Sequence, residues 1–440
     1  MAVAVTDCLR ANAENTLPEA IFERLSESRS ELAFTLLQKL IEVKSSEPEV
    51  KSILPVTWNT LRAHNVDLEA ALGSADAKYH RMLLKILFTS LQPHVSSQSP
   101  SQNSGDSNAT HYNGEQAEPW SETSGSIMRT ALEIISTTIA HGFRSLTILL
   151  HSNPHLLYPS DFALLTAILR SCLCIPDLTR NSTHLLEAFS STQTARYAST
   201  LLSWSTHLAA STNGDPVYGD LSILFLLELS TVSALAESLA VDGVLSHILS
   251  TNLIDLLQSR AFGPFDKPVR MYAIWSRGIL PLLLNLLHAV GPPIAAEVAA
   301  ALNTFPQQLA RATNAFSANP RSSTTTESTQ GYITLGMASE AQSLALIVSI
   351  LRTFQEAGAS AAVQVNEVEE VKWDGAQVKE DVDAWLQRRG ELREKIVATS
   401  GREEEMSRTK PSRQGAGDNL LEERVVAELG GVVGVLGGGE

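Results

Sequence analysis

With 440 residues, of which 44% are hydrophobic, the chain can fold as two or three domains and carries too much apolar matter to stay disordered. Its formal net charge of −15 repels phosphate backbones and anionic lipid, which argues against nucleic acid and membrane surfaces as partners and weakly favours a basic protein. Charged residues are only 18% of the chain, so its helices must bury much of their circumference against neighbours.

The apolar pattern is helical from the start, and residues 1–94 read as N-terminal helical repeats. Thr16 and Glu19 form a capping-box pattern, Pro18 suits a first turn, and Ile21, Phe22 and Leu25 share one face. Ser30 is expected to start a second helix with Leu32, Leu36, Leu37, Leu40 and Ile41, and Pro48 and Pro55 to break the chain beyond it. Asp76 can cap a helix bearing Tyr79, Met82, Leu83, Ile86, Leu87 and Leu91. Residues 95–124 are rich in Ser, Gln, Asn, Thr and Gly with few apolar residues, and are expected to form a disordered insertion.

Residues 125–358 are the main body. Helices are expected over 127–151, ending at Asn153-Pro154, from Asp161 towards Cys174, and over 184–189 and 195–210. One long central helix should come after Asp215-Pro216, carry Leu221, Leu224, Phe225, Leu229, Val232, Leu235 and Leu239, and end at Asp242-Gly243. Three short helices, 281–290, 294–302 and 306–316, are then separated by Gly and Pro. Helix pairs and triplets so punctuated are the unit of armadillo and HEAT solenoids, although no strict repeat period is visible. The polar stretch 317–331 reads as a loop. A long helix over 335–354 should turn Ala338, Ala345, Val348 and Leu351 inward. Residues 359–400 hold an acidic segment and a C-terminal helix with Val378, Val382, Trp385, Leu386, Leu392 and Ile396. Residues 401–440 are expected to be a disordered tail with a weak helix at 420–429. The fold class is therefore all-α, a right-handed superhelical α-solenoid.

No grouping of side chains suggests a reaction centre. His151 and His155 have the four-residue spacing of metal ligands on one helix face, but Pro154 breaks that helix. Cys172, Cys174 and His184 lack a fourth ligand and the usual zinc spacing, so packing is the expected role of the cysteines. Three cysteines in so long a chain suit a reducing compartment. The N-terminus lacks a signal peptide's pattern, because Asp7 and Arg10 interrupt it, which also leaves the sequons at Asn108 and Asn181 without a glycosylation context. No uncharged apolar run reaches the roughly 18 residues of a membrane span, so a soluble intracellular protein is expected. The glycines of 430–439 come after no strand and cannot form a phosphate cradle; a flexible end is expected. Phe262-Gly263 reads as a turn, and Phe265, Tyr272 and Trp275 as core packing. No residue is assigned a catalytic, cofactor-binding or metal role. No partner-binding residue can be singled out, and neither an enzyme nor a cofactor is expected.

Three blocks share a resemblance: Val217-Tyr-Gly-Asp-Leu-Ser-Ile-Leu-Phe-Leu-Leu-Glu-Leu229, Gly263-Pro-Phe-Asp-Lys-Pro-Val-Arg-Met-Tyr-Ala-Ile-Trp-Ser-Arg-Gly-Ile-Leu-Pro281 and Tyr332-Ile-Thr-Leu-Gly-Met-Ala-Ser-Glu-Ala341. They resemble the C-terminal domain of the 188-kilodalton scaffold nucleoporin of filamentous fungi. That resemblance implies a nuclear pore inner-ring component at the nuclear envelope, built of armadillo-like and HEAT-like helices. It also implies partners: short segments of linker nucleoporins, with transport receptors or Phe-Gly repeats as further possibilities. The chain is far shorter than a whole member. Two readings remain open, a structural pore scaffold and a karyopherin-like transport adaptor that binds cargo or Phe-Gly repeats. The adaptor would be marked by a recurring Trp-x-x-x-Asn ladder, and the six tryptophans here are scattered instead.

Overall fold

A computed structural model describes residues 1–13, 19–44, 48–63, 77–95, 120–209, 214–317, 331–360, 368–410 and 418–437. The cap at Thr16 with Pro18, the cap at Asp76, most of the insertion expected at 95–124 and most of the loop expected at 317–331 lie outside these residues. Among them the structure is helical, with one isolated parallel bridge, Ile333 to Ile396, and no strand. The chain divides into two compact units, Met1–Ala198 and Ser199–Glu440.

The first unit begins with α1 (Ala2–Ala13), α2 (Glu19–Lys44), α3 (Pro48–Lys51), α4 (Ile53–Ala63) and α5 (Ala77–Val95). Ser30 does not start a helix. It lies inside α2, fully buried, and its hydroxyl donates back to the Glu27 carbonyl over 2.8 Å, so nothing interrupts the turn. Pro48 and Pro55 sit in the first turns of α3 and α4, where the missing N–H costs no helical bond. Packing of α1 on α2 and α4, and of α5 on α2 and α4, buries Val5, Leu9, Leu37, Leu61, Leu83 and Leu87 completely.

A continuous helix comes next: α6 (Trp120–Glu133), a π-helical stretch (Ile134–Ala140) and α7 (His141–Ser152). It starts at Trp120, inside the stretch expected to be disordered, and runs through Ser, Glu, Thr and Gly before reaching Ile127. The unit is completed by α8 (Pro159–Leu173), α9 (Ser182–Thr192) and the start of α10 (Thr194–Ala209). Phe143 and Phe162 meet edge-on at 5.4 Å, joining α7 to α8.

In the second unit α11 (Val217–Ser230) and α12 (Ser233–Val241) replace the single central helix expected from sequence. The break is at Val232, whose backbone is extended. Ser230 and Thr231 donate to the carbonyls of Leu227 and Glu228, each over 2.7 Å, satisfying the end of α11. Next come α13 (Val244–Leu249), α14 (Asn252–Ser259), then α15 (Val269–Ala273), a second π-helical stretch (Ile274–Ile279) and α16 (Leu280–Val290) as one continuous helix. Pro281 therefore does not begin a short helix. The π stretch just before it accommodates a residue that lacks an N–H.

This continuous helix, Val269–Val290, is long and apolar enough to cross a membrane by length and composition alone. Its environment is that of a core helix. Ile274, Trp275, Leu280 and Leu286 are fully buried, and Arg270 is ion-paired to Asp215 and Asp220 at 2.8 Å each. Around it pack α17 (Pro292–Asn303), α18 (Pro306–Thr313) and the long α19 (Leu335–Ser360), whose Ala338, Ala345 and Leu351 face inward as their spacing predicts.

The C-terminal helix expected over 378–396 is two, α20 (Gly375–Gln387) and α21 (Arg389–Lys395), and Ile396 pairs with Ile333 instead. After Ser400 the expected disordered tail holds α22 (Gly401–Arg408) and α23 (Leu420–Gly437). The glycines that suggested flexibility permit close packing: a Cβ on Gly431 would lie 2.5 Å from the Gln342 side chain of α19. Val425, Leu429 and Val432 are fully buried there, each contributing about 1.5–3 kcal/mol of apolar burial. Glu422 anchors the start of α23, accepting from Arg393 at 3.0 and 3.2 Å and from the Asp418 amide at 2.8 Å.

Candidate partner-binding groove

The chemistry-bearing residues singled out from sequence are not brought together. His151, His155 and His184 are exposed, Cys172 is fully buried and Cys174 is exposed, so only one of that cysteine pair is a core residue. Burial holds the Cys172 thiol far above its ordinary pKa, with the neighbouring Cys174 adding to the effect, so Cys172 stays a protonated, inert hydrophobe. Among the described residues no group of three or more His, Cys, Asp or Glu is placed to hold a metal ion. Gly263 of the Phe262-Gly263 dipeptide opens a turn over Pro264 and Phe265, and its amide donates to the Asp266 carboxylate over 2.7 Å. Tyr272 and Trp275 are core residues, whereas Phe265 is 37% exposed.

Polar chemistry in the second unit gathers instead at Glu340, 1% exposed on α19. Its carboxylate accepts from the Tyr272 hydroxyl at 2.9 Å and the Trp275 indole at 2.6 Å, and forms an ion pair with Arg311 of α18. Burial alone would pull the Arg311 pKa down; the charge of Glu340 overrides it and holds the guanidinium protonated. The Tyr272 hydroxyl is pushed well up, first by burial and then by the same carboxylate. Arg311 also stacks 5.1 Å from the Tyr272 ring centre. Every strong group here has a partner, and the knot fixes α15, the second π stretch, α18 and α19 to one another.

That fixed frame carries an open groove of about 720 Å³, lined by Ala310 and Thr313 of α18, Asn314 just after it, Arg352 of α19 and residues 369–376. Most of the last of these belong to a non-helical strap, 368–374, in which Val371 and Trp373 are buried and Lys372 and Asp374 exposed, and in which the Trp373 and Gly375 amides donate to the Val371 and Trp373 carbonyls at 2.8 and 3.0 Å. Helix side chains hold its backbone. Asn303, the last residue of α17, donates to the Glu370 carbonyl at 3.0 Å and accepts from the Lys372 amide at 2.9 Å. Gln355 of α19 donates to the Val368 carbonyl at 2.8 Å. The Trp373 indole N–H is buried and has no hydrogen-bond partner among the described residues, an omission of a kind that costs about 1–3 kcal/mol. Asn303 and Gln355 gave no signal in the sequence, since a helix-end Asn and a helical Gln look like solvent-facing residues.

Comparison with known proteins places these features in a wider set. Residues 53–436 match the family described as the nuclear pore protein NUP188 C-terminal domain. The chain is 35% identical to nucleoporin NUP188 of Chaetomium thermophilum over 474 aligned positions, which cover 99% of this chain and 24% of that protein. It is 26% identical to nucleoporin nup184 of Schizosaccharomyces pombe, covering 68% of this chain and 18% of that one. The chain thus spans about a quarter or less of the curated relatives it matches. A solved structure, Nup188(aa1445-1827) from Myceliophthora thermophila, superposes with a TM-score of 0.68 at 32% identity, covering 86% of this chain and 98% of that one.

Proposed function

Because the chain belongs to the family of the nuclear pore protein NUP188 C-terminal domain, we propose that it is a non-enzymatic scaffold element of the nuclear pore inner ring, at the nuclear envelope, that docks short segments of linker nucleoporins. The observation that carries this reading is that the likeness to a nucleoporin runs along 99% of the chain and is not confined to one packing motif. The architecture supports it. Stacked helices leave grooves along their flanks, into which an amphipathic helix can lay its apolar face. The charge of −15 favours a segment that carries basic residues among its apolar anchors. The whole set of strong buried charges in the Glu340 knot is consumed in holding helices together, as suits a protein that presents a surface.

Isothermal titration of the chain against helical segments of linker nucleoporins tests the reading. Saturable binding of at least one segment is expected. Binding of a basic cargo signal with no response to any linker segment would overturn it.

A further inference from the structure

We draw no further inference here: the strongest candidate, the open groove between the end of α18, Arg352 of α19 and the strap at 368–374, carries nothing because no feature of the structure shows what covers it.

Discussion

The indole nitrogen of Trp275 donates to the carboxylate of Glu340 over 2.6 Å, across 65 positions of sequence, where both residues are fully or almost fully buried. Arg311 and Tyr272 share the same carboxylate. Glu340→Ala would leave the Arg311 cation, only 18% exposed, without its ion-pair partner, and breaking one side of a buried pair typically costs about 3–5 kcal/mol. A large drop in the urea midpoint is expected, with a smaller drop for Glu340→Gln, which keeps an acceptor for the indole. Glu340→Leu combined with Arg311→Met should recover much of the loss, since a packed apolar pair avoids the desolvation cost. Equal stability of Glu340→Ala and the native chain would contradict the role given to the knot.

Gly278 is the close-approach point between the second π stretch and α11. A Cβ there would lie 2.3 Å from the Ile223 Cγ2, a branch methyl that has little room to swing away. Gly278→Ala is therefore expected to destabilise by about 1–3 kcal/mol. Adding Ile223→Ala should make the pair of changes less costly than their sum. Additive losses in a double-mutant cycle of unfolding midpoints would show that the two residues do not meet.

His94, near the end of α5, is held neutral. Burial is the larger cause and the nearby Lys51 charge the next, together lowering its pKa from 6.5 to about 4. The unfolded chain takes up a proton below pH 6.5 that the folded chain does not take up until about pH 4, so stability is complete above 6.5 and falls as pH drops through that window. The expected slope approaches about 1.4 kcal/mol per pH unit between those limits. His94→Gln should flatten the dependence of the melting temperature between pH 6.5 and about 4. An unchanged slope in that variant would remove His94 from the account.

The three thiols should separate by accessibility. Cys174 is exposed, Cys8 half-buried and Cys172 fully enclosed with its thiol held protonated. An aromatic disulfide reagent is expected to label Cys174 first and Cys172 only after denaturant is added. Labelling of Cys172 in the native chain, confirmed by peptide mass mapping, would contradict its place in the core.

The fold class could be read from the chain because period-3.6 apolar spacing persists from Leu335 to Leu351 and from Ile294 to Leu302 without a competing alternation. Boundaries depart from the sequence pattern where a breaker residue is harmless or a break has no breaker. Pro281 sits after a π turn that absorbs it, whereas α11 ends at Ser230 and Thr231 through hydroxyl-to-carbonyl bonds that no Gly or Pro announces. Gly430, Gly431 and Gly434 looked like a flexible end because composition cannot show that Gln342 presses against Gly431. The strap was visible only as an acidic stretch. It is held by Asn303, which bonds residues 67 and 69 positions away, and by Gln355, 13 positions from its partner, and no local pattern encodes that meeting.

A docking element of the nuclear pore, as proposed above, holds other nucleoporins. Affinity capture from nuclear-envelope extracts with the tagged chain, read by quantitative mass spectrometry against an untagged control, tests it most directly. Enrichment of inner-ring and linker nucleoporins is the expected result, weakened as salt is raised if the acidic surface contributes. Enrichment of soluble cargo and transport receptors without any linker or inner-ring nucleoporin would contradict it.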